Sequence, residues 1–542
     1  MATWDDYKRH RDKVVETNGQ WVGLLDKNYL PIMDIEDWIN AEWPNIFGDT
    51  GSMTMALDGE IAPGVPNPVV DELVFAHLRK LDKPQALDEM FHEAVHGVLE
   101  RPGIKRQTYR LFELTPEGGR DYPAKMGLSG VDTIEHLKHL PCWANPSNRS
   151  KVVQLQFSDI QQGSAELVSR KIIGRNLIGY QQPSLLRSSR DMTDDYSTSS
   201  AWSSFIPDLH RVICSPIPSG NPSEWCVIEA RWDNAWDLME GTWKAAGLQP
   251  ITWLWLPGDE QPFPSHTVLS LPTVIVDFAP RSAVSGAAGL FSQGWVNLTR
   301  KISSDDNLTS VISLDDYPLT NSDGQKPWVV FDLPEAPKTV IRKSTDSKFL
   351  VGGQSPKAVN DLIQAGIKGA FAGLLSLIPG IGPLGSALVT GVGELVSKLA
   401  ADRFLNLEEG EDLNRAAHYG RSGYISLSKP GQANTNDSKQ KMWAAKTQSE
   451  GGLTVQFVVD DMYPYVAGRD VRIGDVVGVR MWGVVWAAYV SELTPFSDPS
   501  SPCGWKVALG NLDALADLSR LYELNTGTVR AIIGRLATYV SS

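Results

Sequence analysis

From residue 21 onward apolar and polar positions alternate in short runs broken by Asn, Asp and Gly, as in WVGLLDKNYLPIM and WINAEWPNIFGDTGSMTMAL. A period of two with such punctuation predicts strands that bury one face. Ahead of them, residues 3–18 are polar and charged with few apolar positions, which suits a short amino-terminal helix or arm. The spacing lengthens at 158–178, SDIQQGSAELVSRKIIGRNLI, and again in DNAWDLMEGTWKAAG, where Asp233 stands near the start and Gly247 at the stop; both stretches read as helices. PITWLWLP, PTVIVDFA and PWVVFDLP are β-branched and aromatic runs bounded by proline and predict sheet strands, whereas SSRDMTDDYSTSSAWSS reads as a surface loop. Residues 450–510 carry the clearest β pattern, with LTVQFVVDDMYPYV, DVRIGDVVGVRMWGVVWAAYVSEL and GWKVALGN separated by Gly-Asp turns, and predict a compact barrel or sandwich. Asp460 and Asp461 are adjacent, so on a strand they face opposite ways, and they read as a strand-end turn.

These patterns predict an α+β, multidomain chain. Residues 1–20 form the arm or helix, 21–155 a strand-rich domain, 156–355 a mixed α/β part, 356–410 an apolar helical hairpin insertion, 411–510 a β-barrel-like domain and 511–542 closing helices. At 542 residues, 42% hydrophobic and 21% charged, with 18 tryptophans, the chain has the composition of packed domains and exceeds one ordinary core. No internal repeat of fixed period is present.

A formal net charge of −14 leaves no phosphate-binding footprint at the level of the whole chain, which argues against sequence-specific nucleic-acid binding. Cys142, Cys214, Cys226 and Cys503 form no C-x-x-C pair and are too few for a disulfide framework, so a reducing compartment fits. The opening MATWDDYKRHRDKVVETNGQW carries charges where a secretory signal has an apolar centre, and synthesis in a cytoplasm is the default.

One stretch suggests metal chemistry. FHEAVHG places His92, Glu93 and His96 in the H-E-x-x-H order of zinc peptidases, which functions only on a helix, where positions i and i+4 aim two imidazoles at one metal and the glutamate polarises water. KPQALDEMFHEAVH offers such a helix, with Pro84 in the first turn and Leu87, Met90, Phe91, Ala94 and Val95 on an apolar face. AVHGVLERPGIKRQTYRLFEL reads equally well as two strands hinged at Pro102-Gly103, which would put His96 at a strand start. No histidine stands six residues beyond His96, where Pro102 lies, so a third ligand would have to come from elsewhere, Glu113 for example. His136 and His139 lie three apart on a predicted helix and lack a third partner. There is no G-x-S-x-G elbow, P-loop or G-x-G-x-x-G after a strand.

Residues 369–393 carry no charge. Their length would permit a membrane span, but Pro379 and Pro383 with Gly380, Gly382 and Gly385 break the run into two short arms, which predicts a helical hairpin. Gly369 and Gly373 stand at G-x-x-x-G spacing for close packing, and Phe371, Leu374, Leu375, Leu377, Ile378, Ile381, Leu384, Leu388 and Val389 supply the apolar surface. Such a hairpin suits either an oligomer core or a segment released into a bilayer.

Taken in order, WVGLLDKNYLPIMDIEDWINAEWP with GDTGSM, GVDTIEHLKHLPCW, RNLIGYQ, VICSPIPSGNPSEWCVIEARWDNAWDLM, PWVVFDL, STDSKFLVGGQSPKAVNDLI, IGDVVGVRMWG and GWKVALGN resemble one family: minor tail proteins, of the tail-tip or baseplate hub type, of long-tailed siphophages infecting mycobacteria and related actinobacteria. The resemblance runs over nearly the whole chain and implies a structural virion component without a cofactor. It would be a trimeric hub at the distal end of the tail tube, with tube-like β-domains around a lumen through which DNA passes without specific binding. Implied partners are two further copies of the chain, the tail tube or distal ring protein, the tape-measure protein, and other minor tail and receptor-binding proteins; the apolar hairpin adds the host membrane as an alternative to a core role. The implied location is the virion tail tip, assembled in the host cytoplasm, and in such a family the stretch around His92 is not a zinc site. The alternative reading, a zinc metallopeptidase acting on host wall or surface protein, rests on His92, Glu93 and His96.

Overall fold

The computed structural model describes residues 3–80, 85–119, 122–146, 158–183, 196–202, 204–219, 223, 225–280, 295–301, 329–333, 337–354, 405–411, 413–428, 452–463, 465–482 and 484–510. The chain divides into two compact units, one of residues 1–340 with 453–522, the other of residues 341–452 with 523–542.

The first unit opens with the helix Trp4–Asn18. Thr3 and Asp6 form a capping box, Thr3 Oγ1 accepting the Asp6 N–H at 3.2 Å and Asp6 Oδ2 accepting the Thr3 N–H at 3.0 Å. Gly19 ends the helix in the left-handed conformation, at φ 76°. The helix is held to the sheet by a charge network. Arg11, fully buried, donates to Glu100 at 2.5 Å and to Asp259 at 3.1 Å, and Arg106 bonds the same two carboxylates at 2.8 and 2.7 Å. Two guanidiniums so enclosed are tolerable because each faces two carboxylates.

One antiparallel sheet runs through the unit. From the carboxy-terminal strands Gly452–Asp460, Gly504–Leu509 and Val484–Ser497 it passes to Asn40–Glu42, Ser52–Asp58, Lys125–Asp132, Gln107–Glu117, His96–Glu100, Trp21–Leu25 and Pro31–Asp34. The join lies at Phe496 opposite Glu42 and Ser497 opposite Ala41. Strands predicted in separate stretches, 21–155 and 411–510, therefore share hydrogen bonds across more than four hundred residues of sequence. Their patterns explain the two faces: Ser52–Asp58 alternates, with Met53, Met55 and Leu57 buried beside Trp43, Leu99, Tyr109 and Leu128. A second core gathers Val455, Phe457, Val477, Val479, Trp505 and Val507 under the carboxy-terminal strands.

Arg101 fastens the two ends of the chain. It is 3% exposed and, among the described residues, has no carboxylate partner. Its guanidinium donates to Gln20 Oε1 at 2.8 Å, the Gly504 carbonyl at 2.9 Å and the Phe496 carbonyl at 2.7 Å, and it lies over the Trp505 ring.

Beside this sheet, Leu248–Trp255 pairs antiparallel with Thr273–Pro280, which pairs parallel with Val212–Cys214. The helix Ala235–Ala246 begins where Asn234 Oδ1 accepts the Asp237 N–H at 2.7 Å and stops before Gly247 at φ 65°, close to the predicted span.

Three expectations need correction. Residues 158–178 are not one helix: Asp159–Ser164 is a strand, paired antiparallel with Trp225–Ala230, and the helix is Ala165–Gln181. Asp159 bonds Arg175 at 3.2 Å from that strand, and Ser164 Oγ bonds Ser223 Oγ at 2.5 Å, so partners distant in sequence override a short ambiguous pattern. The serine-rich segment is not simply a surface loop, since Tyr196 and Trp202 are buried and Tyr196 donates to the Cys214 carbonyl at 3.0 Å. His136 lies on the 3-10 turn Thr133–Leu137 and His139 beyond its end.

In the second unit Asp346–Gln354 pairs antiparallel with Leu405–Glu411 and parallel with Tyr424–Ser428. Gln354 stands opposite Leu405 in this register. The hairpin residues Gly369, Phe371, Gly373, Leu374, Leu375, Leu377, Ile378, Pro379, Ile381, Pro383, Leu384, Leu388 and Val389 lie outside the described residues, as do the helices predicted for 511–542. Among the described residues no helix is long and apolar enough to cross a membrane.

Candidate functional site

The H-E-x-x-H residues fall on different elements. The helix Gln85–His92 ends at His92, and the strand His96–Glu100 begins at His96. Between them the chain is already entering the sheet, because the Leu111 N–H bonds the Val95 carbonyl at 2.9 Å. Without a continuous helix the two histidines lose the i, i+4 relation that a shared metal needs. Glu93 is engaged by Lys27 at 3.1 Å.

His96 is held by its strand partners, standing opposite Leu25 on one side and Arg110 on the other. It is 5% exposed, and Nδ1 lies 3.1 Å from the Asp26 carbonyl. A carbonyl only accepts, so the proton sits on Nδ1. Burial pushes its pKa down to about 4, against a smaller upward pull from that carbonyl. The ring packs on Tyr29 at 4.5 Å between centroids. Tyr29 takes a left-handed backbone, φ 59°, in a turn whose Asn28 and Leu30 N–H groups both bond Asp26 Oδ1, at 2.7 and 2.8 Å.

His92 and His96 open onto a cavity of about 720 Å³ that His77, His136 and His139 also line, so five of the chain's nine histidines meet there. His136 is open to the cavity yet surrounded by protein, and this desolvation, reinforced by Arg110, lowers its pKa. His139 pairs with Glu135 at 3.3 Å. Asp132, at the start of the 3-10 turn, accepts from the Ile134 N–H at 3.1 Å and the Thr252 hydroxyl at 3.1 Å, while burial pushes its pKa up to about 6. Among the described residues no three His, Cys, Asp or Glu side chains are placed to hold a metal ion. The histidines come from separate elements: His92 from the end of a helix, His96 from a strand and His136 from the 3-10 turn.

Sequence reasoning found His92, Glu93, His96, His136 and His139 but not their convergence with His77, Tyr29 and Asp132. The Asp-Lys-Asn-Tyr turn was the one local signal pointing to it.

Comparison with known families decides the lineage. The profile described as Siphovirus ReqiPepy6 Gp37-like protein matches residues 95–511, well over half of the chain. The chain belongs to that family. The match takes in His96 and leaves His92 and Glu93 outside it. No curated protein matches the chain. Among solved structures this Gp37-like chain is similar to a tail protein from Neisseria meningitidis MC58, at 11% identity over 92% of this chain and 99% of that one, with a TM-score of 0.38. It is likewise similar to the 43 kDa tail protein of prophage MuSo2 from Shewanella oneidensis, at 11% identity over 92% and 99%, with a TM-score of 0.40. A third is prophage tail protein gp18 from Listeria monocytogenes EGD-e, at 8% identity over 96% and 100%, with a TM-score of 0.36.

Proposed function

We propose that this chain is a structural component of a siphophage tail, a hub at the distal end of the tail tube that takes part in host attachment and DNA delivery. The observation that carries the reading is membership of a siphovirus family over residues 95–511, a span that includes the carboxy-terminal strands of the sheet and, from its other half, His96–Glu100, Gln107–Glu117 and Lys125–Asp132. The ordered motif resemblance to minor tail proteins supports the hub assignment and an actinobacterial host. An acidic chain is also suited to a channel past which DNA slides, since like charge does not retain it.

In this reading three copies assemble, contacting the tube or distal ring protein, the tape-measure protein, and other minor tail and receptor-binding proteins. The apolar segment around residues 369–393 serves within the assembly or at the host membrane. Three experiments test it. Antibody labelling of purified virions, with electron microscopy, places the chain at the tail tip; label elsewhere, or none, sinks the hub. Light scattering of the purified full chain gives a trimer; a species that stays monomeric at high concentration argues against threefold assembly. For the membrane arm, a peptide of residues 357–400 gains helicity on anionic liposomes, and absence of partitioning leaves the core role.

A further inference from the structure

On the face of the Leu248–Trp255 and Thr273–Pro280 strand pair, Ile251 stands opposite Asp277 and Trp253 opposite Ile275. These four side chains lie in the lining of a second cavity of about 690 Å³, which no histidine lines. Trp253 and Asp277 are diagonal neighbours there, a separation of roughly 7–8 Å that a single six-membered sugar ring spans. Phe263 adds a second aromatic wall.

The polar groups are set for hydroxyls. Asp277 Oδ1 accepts from Arg170 at 2.7 Å and from the Phe278 N–H at 2.8 Å. Arg170 is itself 2% exposed and locked by Glu166 at 2.7 Å and the Ser215 carbonyl at 2.9 Å, so the carboxylate is fixed in orientation with Oδ2 left as an acceptor. The Trp253 indole N–H is enclosed and has no hydrogen-bond partner among the described residues, which in a folded interior calls for an explanation. Lys105, an exposed side chain, covers the Trp253 ring at 4.5 Å and can swing off it.

Charge decides the ligand class. Lys105, Arg170 and Arg472 balance Asp259, Glu260 and Asp277 around the cavity, so it favours neither an anion nor a cation. An apolar lining, an oriented carboxylate acceptor, an unsatisfied N–H and no net charge fit a neutral ligand with one apolar face and a rim of hydroxyls. We propose that this cavity binds a neutral pyranose saccharide, packed on Trp253 and Ile251, donating a hydroxyl to Asp277 Oδ2 and accepting the Trp253 N–H on another oxygen once Lys105 moves aside.

The test uses the full chain and saturation-transfer NMR with methyl β-glucopyranoside, methyl β-galactopyranoside and methyl α-mannopyranoside, beside galacturonate and an uncharged blocked tripeptide. At least one neutral glycoside is expected to bind. Trp253→Phe, which keeps an aromatic face but of smaller area and removes the N–H, and Asp277→Asn, which keeps the shape and removes the charged acceptor, are each expected to weaken it at least about tenfold, the loss of one hydrogen bond. Unchanged melting temperatures show that both variants are folded. Absence of binding up to about 20 mM, binding indifferent to both variants, or saturation by the tripeptide or galacturonate in place of the glycosides overturns the assignment.

Discussion

His96 donates its Nδ1 proton to the main-chain carbonyl of Asp26 across 3.1 Å, which ties its ring to the turn that also carries Tyr29. Its pKa of about 4 lies below the ordinary histidine value of 6.5. The folded state therefore binds the proton less readily than the unfolded chain. The stabilisation is complete above pH 6.5 and is lost as pH falls from there towards 4, on the order of 3 kcal/mol in all. His210, also buried and lowered to about 4, acts in the same direction. Asp132, raised from 3.8 to about 6, acts oppositely, favouring the folded state as pH falls through that interval. Because the contributions offset one another, the comparison is between wild type and His96→Leu. The stability difference between them, from denaturant unfolding, is expected to be larger at pH 7 than at pH 4 by about 3 kcal/mol, and a pH-independent difference would contradict the buried neutral histidine.

Arg101 reads out the junction of the two chain ends. Arg101→Met leaves the Gly504 and Phe496 carbonyls and Gln20 Oε1 without their donor, at an expected cost of about 2–4 kcal/mol in denaturant unfolding. Arg101→Lys is not expected to rescue it, because one ammonium cannot reproduce a planar fork aimed at three acceptors.

Glu100 bridges two arginines. Glu100→Gln leaves the enclosed Arg11 with Asp259 alone, and Arg106 must share it. The expected outcome is destabilisation of about 3 kcal/mol and selective loss of amide-exchange protection over Trp4–Asn18, the helix that Arg11 anchors. Uniform loss across the first unit would mean that the network supports the sheet and not the helix.

Zinc analysis tests the broken motif directly. Chelator-washed protein is expected to hold zinc at background, with His92→Ala no different. About one zinc per chain, lost in the variant, would require His92 and His96 to meet in a conformation other than this one.

Local order was legible wherever residues near in sequence carry it. The polar run 3–18, Asp233 with Gly247, and the alternation around Ser52–Asp58 predicted a helix or arm, a helix and a strand, because helix stops and one-sided burial act over a few residues. The hinge at Pro102-Gly103 was equally readable: Gly103 adopts φ 84° between the strands His96–Glu100 and Gln107–Glu117. Asp159–Ser164 was not, since six residues fit either period and its partner lies at Trp225–Ala230.

The sequence by itself determined the β-rich texture, the caps and turns, and through its ordered motifs a family that comparison upheld in its siphovirus membership. Tertiary structure alone decided that Ser497 would pair with Ala41, that five histidines would line one cavity, and that FHEAVHG would break between helix and strand. The reason is the range of the forces. Capping and periodicity are local and written in adjacent residues, whereas strand pairing and burial are settled by whichever distant partner satisfies the backbone and fills the core, and that choice overrode a five-residue motif whose chemistry needs a helix the sheet does not allow.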